Sequence, residues 1–396
     1  MKRILLRLSE FSSLLLIVFG LYSLDADNKA SDHKISILKH DLGKVTTTLS
    51  ARFDRNESDF RTLRAELDKS NPQNIYTQAP YVAHLDIQSW TANGITPSNA
   101  SGILIQNENK EFFIITNLHA IKSGPESATL NVFARLNQLD SYPHPLRMFA
   151  RCEAFDIALL KLEEDFKYDG PIAIFGDSTK ITPGAPVISI GSSVGLAFTC
   201  NYGVVTNMKA LGAHNTPVAM RISIPQVLMH SATIAPGNSG GPLISTVDGC
   251  VVGINYMNCK VDFNGFVTNF YLTIPSEDIK RLLPKLFEGG EVKNGWTTCL
   301  RLTDSVEMPT QALPGEVRPV SEGAYITGVR DDILGEPRPK ISDVILECNG
   351  APIASTMDFV REIMHSEPGS IASIKVLRGN EILTFNLPIS VLKIPE

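Results

Sequence analysis

The sequence predicts a mostly β protein, in which two antiparallel barrels are followed by a smaller α+β module and preceded by a helical segment. Residues 81–290 carry short apolar runs separated by Gly, Pro and Asn turns, and such regularly punctuated runs indicate a barrel pair. Helical periodicity first appears in that region at residues 276–287. Residues 295–396 instead mix strand-like runs with one helical stretch near residues 356–364. A chain of 396 residues is long enough for two or three domains with separate cores.

The first 30 residues predict export. Lys2, Arg3 and Arg7 precede a charge-free apolar stretch over residues 11–24, which is the order of a positive n-region and an apolar h-region. The stretch is short for a helix that spans a bilayer, which needs about 20 residues, but no clear small-x-small cleavage site follows it. Residues 1–30 are therefore either a signal peptide or a membrane anchor, and in both cases the rest of the chain is exported.

Residues 31–72 predict a helix with the seam of a coiled coil. Apolar residues recur at steps of three and four over residues 35–49 and, after one stutter, over residues 53–67. The alternative is a single amphipathic helix packed on the following domain, because Arg52 and Asn56 interrupt the seam. A coiled coil here would help to assemble several chains near the membrane.

Composition excludes several functional classes. The net charge is −6 and basic clusters are absent, so the chain lacks the surface that a nucleic-acid binder needs to neutralise phosphates. Six cysteines in 396 residues are too few for a disulfide scaffold, and without a C-x-x-C pair we expect no zinc or other metal site. One or two disulfides remain open in an oxidising compartment.

The most specific motif is residues 236–242, in which a serine is enclosed by three glycines and followed by an apolar run. A nucleophilic serine needs backbone room for a substrate carbonyl and N–H groups directed at the oxyanion. We predict Ser239 as the nucleophile and Gly237, Asn238 and Ser239 as the oxyanion hole, with the N–H groups of Gly237 and Ser239 as donors. The alternative is a surface turn, because Gly, Asn, Ser and Pro dominate turns.

Two upstream motifs offer a base and an acid for this serine. A strand-like run at residues 112–115 leads into His119, and Asp156 directly precedes a second apolar run. Taken singly, each has a structural alternative, as a core histidine and as a cap or turn residue. Together they give the order His, Asp, Ser of the chymotrypsin triad. In that reading His119 takes the serine proton, Asp156 orients the imidazole, and neither a metal nor an organic cofactor is needed.

Through these motifs the sequence resembles the HtrA/Deg serine proteases, which join a trypsin-like domain to one or more PDZ domains. The matching stretches include residues 115–119, 156–161 and 237–242. The resemblance covers about residues 80–396 and implies a chymotrypsin-like double β-barrel over residues 78–290 and a PDZ-like domain over residues 295–396. It also implies a periplasmic or cell-envelope endopeptidase that cleaves unfolded or misfolded proteins as a homotrimer or higher oligomer. Two alternatives are a protease-fold chaperone or stress sensor and a catalytically silent PDZ scaffold, which the intact triad disfavours.

The resemblance also implies where peptides bind to the C-terminal module. Its carboxylate-binding loop corresponds to Trp296, Thr297, Thr298 and Cys299. Thr298 stands where the family usually has glycine, which argues against tight binding of a free C-terminus. We therefore expect the module to capture peptides by strand addition.

Substrate preference follows from the segments that wall the specificity pocket in trypsin-like folds. Here they resemble Thr233, Ile234 and Ala235 before the nucleophile and Gly253, Ile254 and Asn255 after it. Neither segment contains an acid, so a lysine or arginine before the cut would be a buried cation without a partner. We expect a small or medium aliphatic residue at P1, the residue before the cut. Tyr256 either narrows the pocket further or turns its ring to solvent.

Overall fold

The computed structural model describes the chain in separate ranges. They are residues 44, 47, 76–77, 79–92, 94–121, 129–136, 142–207, 224–263, 266–304, 323–330, 334 and 336–393. The chain divides into two units, residues 1–68 and 69–396, and the only described residues of the first, Lys44 and Thr47, are helical and exposed. The predicted signal peptide or anchor and most of the predicted coiled coil lie outside the described residues. No helix within the described ranges has the length and apolarity to cross a membrane.

The first barrel is a sheet of six antiparallel strands. Its strands are β1 (Val82–Thr91), β2 (Gly94–Gln106), β3 (Phe112–Asn117), β4 (Thr129–Leu136), β5 (His144–Cys152) and β6 (Ile157–Lys161). They pair in the order β5-β4-β1-β2-β3-β6, and β5 also pairs with β6 to close the sheet. Along β1, Leu85 and Ile87 belong to the core, whereas His84 and Asp86 lie on the opposite face because successive side chains of a strand alternate.

The second barrel is a closed sheet with the same number of strands. Its strands are β7 (Pro186–Gly191), β8 (Thr199–Asn207), β9 (Leu228–His230), β10 (Pro242–Ser245), β11 (Val251–Phe263) and β12 (Phe266–Pro275). They pair in the order β10-β11-β12-β9-β8-β7. The predicted pair of barrels is confirmed. Ser101 N–H donates to Ser239 O at 2.9 Å, so the backbones of the two barrels meet at the predicted nucleophile.

Short turns and one longer helix complete the barrel region. These are helix α1 (Leu118–Ile121), 3₁₀ turns at Ser178–Lys180 and Ser193–Gly195, and helix α2 (Ser276–Phe287). Helix α2 has the predicted bounds, and it buries Ile279, Leu282 and Leu286 along one face. Its last residue, Phe287, places its ring 5.4 Å from that of Phe113. The helix therefore closes the barrel region by packing on the first barrel.

The C-terminal module is an α+β domain with a core of its own, as predicted. Strand β13 (Gly290–Glu291) still belongs to the first barrel, where it pairs in parallel with β5 at the edge of the sheet. The strands of the module are β14 (Gly295–Trp296), β15 (Leu300–Asp304), β16 (Ala324–Val329), β17 (Val344–Cys348), β18 (Ala351–Pro352), β19 (Ile371–Arg378), β20 (Glu381–Pro388) and β21 (Ser390–Val391), and its helix is α3 (Thr356–His365). The main sheet has the order β15-β16-β17-β19-β20. Ser355 caps α3 by accepting from Asp358 N–H, and Asp304 accepts from Thr356 N–H at 2.6 Å, which ties the helix to β15.

A buried ionic cluster joins α2 to α3. Asp278 is fully buried, and its Oδ1 lies 2.5 Å from Arg361 Nε and 2.8 Å from His365 Nε2. The ring of His365 also lies 4.7 Å from that of Phe155, the residue before Asp156. Burial lowers the pKa of His365 although Asp278 opposes that shift. The C-terminal module therefore rests against the loop that carries the predicted catalytic acid.

We expect Asp278→Ala to lower the free energy of unfolding by about 3 kcal/mol, because it leaves the Arg361 guanidinium, whose side chain is 16% exposed, and the buried ring of His365 without their acceptor. Urea unfolding would measure the loss. The double variant Asp278→Leu/Arg361→Leu should recover most of it, since apolar residues can replace a buried ion pair. The control is Lys375→Ala, which removes an exposed pair with Glu347 and should cost less than about 1 kcal/mol. Equal losses in Asp278→Ala and the control would contradict the prediction.

Candidate active site

The predicted base and acid meet where one strand ends and its neighbour begins. Strand β3 ends at Asn117 and β6 begins at Ile157, and these two residues are partners in the antiparallel register. His119 follows β3 on α1, and Asp156 immediately precedes β6. The register therefore brings together two side chains that are 37 positions apart in the sequence.

Asp156 holds His119 by two hydrogen bonds. Its Oδ1 accepts from the backbone N–H of His119 at 2.7 Å, and its Oδ2 lies 2.5 Å from Nδ1 of the ring. The backbone of Asp156 is left-handed, with φ +53°, and its carbonyl accepts from the N–H of Leu118 and the side-chain amide of Asn117. Because the carboxylate engages Nδ1, neutral imidazole carries its proton there and leaves Nε2 as the basic nitrogen.

The segment around Ser239 requires glycine at two positions. Gly237 has φ +99° and Gly240 has φ +86°, and side chains strongly disfavour this left-handed region. A Cβ atom at Gly237 would collide with Ser192 O, and one at Gly240 would collide with Thr116 Oγ1. Any side chain at either position would therefore push the loop away from its neighbours.

Two N–H groups of this segment have no acceptor in the part of the chain that the structure describes, those of Gly237 and Ser239. The N–H of Asn238 donates to Ala235 O at 3.0 Å, so Asn238, which the sequence analysis included in the oxyanion hole, is not a third donor. Its side-chain Oδ1 accepts from Ser193 Oγ at 2.9 Å. The geometry leaves Gly237 and Ser239 as the available pair.

The hydroxyl of Ser239 points to strand β11. Ser239 Oγ donates to Tyr256 O at 3.3 Å, and within the described ranges it makes no hydrogen bond with His119. The rings of His119 and Tyr256 meet edge to face, with centroids 5.9 Å apart. Catalytic hydrogen bonds often tighten only when substrate binds. Tyr256, whose ring could from the sequence equally narrow the pocket or face solvent, thus contacts both the base and the nucleophile.

The first half of the predicted specificity pocket precedes the nucleophile. Thr233 is exposed, Ala235 is half-buried and Ile234 is buried. Ala235 also accepts the N–H of Asn238 described above, which shapes the turn that leads to Ser239. This segment combines a buried aliphatic side chain with a constrained backbone.

The second half of the predicted pocket, which follows the nucleophile in the sequence, lies in the interior of the barrel. Gly253, Ile254 and Asn255 are all buried, and Ile254 belongs to the hydrophobic core. The Asn255 amide donates to Ser189 Oγ at 2.9 Å and to Pro242 O at 3.1 Å. A register shift follows Asn255 on β11, and such bulges redirect the side chains beyond them. Ile254 and Asn255 therefore support the strand from within and do not line an open pocket.

Known proteins that are similar to this chain include serine proteases, in agreement with the arrangement of His119, Asp156 and Ser239. Residues 100–254 match the trypsin-like peptidase domain and residues 315–389 match the PDZ domain. The chain therefore contains a region similar to trypsin-like peptidase domains, followed by a region similar to PDZ domains. Over 298 residues it is 28% identical to the serine protease Do-like HtrA of Bacillus subtilis (strain 168), an alignment that covers 72% of this chain and 62% of the relative. Over 296 residues it is 30% identical to a probable periplasmic serine endoprotease DegP-like of Marinomonas sp. (strain MWYL1), covering 74% and 57%.

These matches confirm the resemblance to the HtrA/Deg proteases. The chain spans about 60% of the length of these curated relatives. Among solved structures, the HtrA-type protease AlgW with tripeptide superposes with a TM-score of 0.59 at 20% identity, over 82% of this chain and 98% of that chain. At this identity the likeness shows the fold, in which two barrels precede the PDZ domain.

The PDZ domain has a groove between its edge strand and its helix. Strand β15 lies at the end of the sheet order, so one of its edges is available for strand addition. A cavity of about 130 Å³ lies beside it. The lining residues are Trp296, Thr297, Leu300, Leu302, Thr356, Phe359, Val360 and Ile363. The apolar stripe of α3 could have indicated this wall from the sequence, but the motif alone did not.

The four predicted peptide-binding residues divide between this groove and its surroundings. Trp296 and Thr297 line it, whereas Thr298 is exposed and is not among the lining residues. The side chain of Cys299 belongs to the PDZ core, so only its backbone could contact a peptide, and its place in the binding loop stays a prediction. Its side chain turns inward because consecutive residues that enter a strand point to opposite faces.

The structure offers no evident metal site within its described ranges, because no three His, Cys, Asp or Glu residues cluster there. All six cysteines are free thiols. Burial raises the pKa of Cys152 to about 11 and that of Cys348 to about 12, so these two thiols are protonated and unreactive near neutral pH.

Proposed function

We propose that the chain is an exported serine endopeptidase that cleaves unfolded or misfolded proteins. The observation that carries the proposal is the His119–Asp156 pair beside a serine whose loop presents two N–H groups without acceptors. The trypsin-like and PDZ domain matches support the same activity. The names of the relatives, one of them a probable periplasmic endoprotease, support a site of action outside the cytoplasm.

The reaction begins when Ser239 Oγ leaves Tyr256 O and turns towards Nε2 of His119. Nε2 takes the hydroxyl proton as Oγ bonds to the substrate carbonyl carbon, and Asp156 stabilises the imidazolium that forms. The N–H groups of Gly237 and Ser239 donate to the oxyanion, each such donor being worth about 10²–10³ in rate. His119 then protonates the leaving amine, and water releases the acyl group by the same steps.

The PDZ groove gives the endopeptidase a means of holding its substrates. An extended peptide would pair with the edge of β15 and place apolar side chains against Leu302 and Phe359, which line the cavity. AlgW, the structural neighbour, was solved with a tripeptide, and this favours peptide ligands here. The proposal includes assembly as a homotrimer or higher oligomer, which the family resemblance supports. Residues 11–24 would either anchor this assembly to the membrane or be removed as part of a signal peptide.

Labelling with a fluorophosphonate tests the activity, because only a serine activated by a base reacts rapidly with such a probe. We expect labelling of wild type at Ser239 and none in Ser239→Ala. Mapping cut sites in a denatured protein by mass spectrometry should then show Val, Ala, Leu or Ile before the cut. Absence of labelling would favour the chaperone or scaffold alternative, and a dominance of Lys or Arg before the cut would refute the expected aliphatic preference.

A further inference from the structure

A buried histidine lies close to the oxyanion segment without belonging to the proposed triad. His84 is only 6% exposed. Its Nδ1 lies 2.8 Å from Ser192 Oγ, and its Nε2 lies 3.1 Å from Asp86 Oδ1. Beyond it, Arg135 Nη2 lies 2.6 Å from Asp86 Oδ2. Both ring nitrogens therefore have partners, and the ring has a fixed orientation between Asp86 and Ser192.

The sheet register explains why this histidine meets the second barrel. His84 on β1 is the direct partner of Arg135 on β4 and of Ser101 on β2, and directly paired residues share a face of the sheet. Ser101 Oγ accepts from Ser192 N–H at 2.9 Å and donates to Gly237 O at 2.7 Å. One row of side chains on the first barrel therefore holds both Ser192 and the oxyanion segment.

The turn that follows Ser192 fixes the direction of one oxyanion donor. Val194 N–H donates to Pro236 O at 2.7 Å. The C=O of Pro236 and the N–H of Gly237 belong to one planar trans peptide group and point in opposite directions. Val194 itself has φ +46°, a strained conformation for a β-branched residue that persists only where the surroundings enforce it. Contacts that hold Ser192 in place therefore help to keep this turn in its strained conformation.

We propose that His84 is a positioning residue for peptide hydrolysis. By holding the Ser192 hydroxyl it anchors the turn at residues 193–195, and through that turn it directs the N–H of Gly237 at the oxyanion. The cluster is not a second nucleophilic site, because Ser192 is 1% exposed and no peptide carbonyl reaches it. This inference rests on the proposed endopeptidase function.

The test compares kcat and KM of wild type and His84→Ala, with each protein's active sites counted by end-point fluorophosphonate titration. We expect kcat per titrated site to fall about 10- to 100-fold, a part of the effect of losing an oxyanion donor, with KM changed less than about threefold. His84→Asn puts an amide oxygen near the place of Nδ1 and should restore kcat to within a few-fold. The matched control is His144→Ala on β5, which should leave both parameters unchanged.

Affinity for a peptide boronic acid supplies a second readout, because its tetrahedral adduct places an oxygen in the oxyanion hole. That affinity should fall in parallel with kcat/KM. A loss confined to the titratable fraction, with wild-type kcat per site, would overturn the positioning role. If His84→Ala does not fold, Ser192→Ala removes a single hydroxyl and must show the same loss of kcat. An inactive wild type would instead refute the proposed function itself, before any variant is compared.

Discussion

Ser239→Ala is expected to lower kcat for hydrolysis of a peptide substrate by about 10⁶-fold. The variant has no atom that can form the acyl bond, so His119 and Asp156 have no proton to transfer. The N–H groups of Gly237 and Ser239 remain, and they leave a residual rate about 10³–10⁴-fold above that in water. Kinetics with a fluorogenic peptide would measure both the loss of kcat and the residual rate.

The fold of this variant should be unchanged. Among the residues that the structure describes, the side chain of Ser239 hydrogen-bonds with Tyr256 O at 3.3 Å, and the loss of this bond costs about 1 kcal/mol. The backbone contact with Ser101 persists in the variant. The matched control is Ser373→Ala, an exposed serine on β19 that should keep full activity. Substantial cleavage by Ser239→Ala, after purification excludes contaminating proteases, would show that another residue is the nucleophile.

Much of the fold could be predicted because strands and helices leave patterns of apolar residues within short stretches of the sequence. Alternation of apolar and polar residues indicates β1, and spacing by three and four indicates α2, whose predicted bounds the structure reproduces. The three triad motifs are also local, since each is a residue type beside a strand or between glycines. The register of β3 against β6 then brings His119 to Asp156, as the chain order of the motifs implies.

What the sequence could not predict depends on contacts between distant residues. His84 and Ser192 are 108 positions apart, and only the packing of one barrel on the other makes them neighbours. The rotamer of Ser239 and the occupied N–H of Asn238 depend in the same way on the folded loop. The burial of the Cys299 side chain in the PDZ core was likewise not predictable, because alternation after Trp296 is not known until the strand boundary is known.

Asp156→Asn is expected to lower kcat by about 10⁴-fold while the backbone stays in place. Asparagine tolerates the left-handed conformation that Asp156 adopts, and Asn349 already has φ +51° in this chain. Its oxygen would accept the backbone N–H of His119, which leaves the NH₂ group facing Nδ1. An amide donor there forces the imidazole proton onto Nε2, so the base can no longer accept the proton of Ser239.

Comparison with Asp156→Ala separates this tautomer effect from backbone strain. Alanine at φ +53° adds a destabilisation of about 1–2 kcal/mol, whereas asparagine should leave the thermal midpoint nearly unchanged. The control is Asp165→Asn, an exposed acid of the first barrel region, which should keep wild-type kcat. Fluorophosphonate labelling of Asp156→Asn should slow in parallel with kcat, because both reactions need the same proton transfer. A variant that labels at the wild-type rate would show that Asp156 does not set the tautomer of His119.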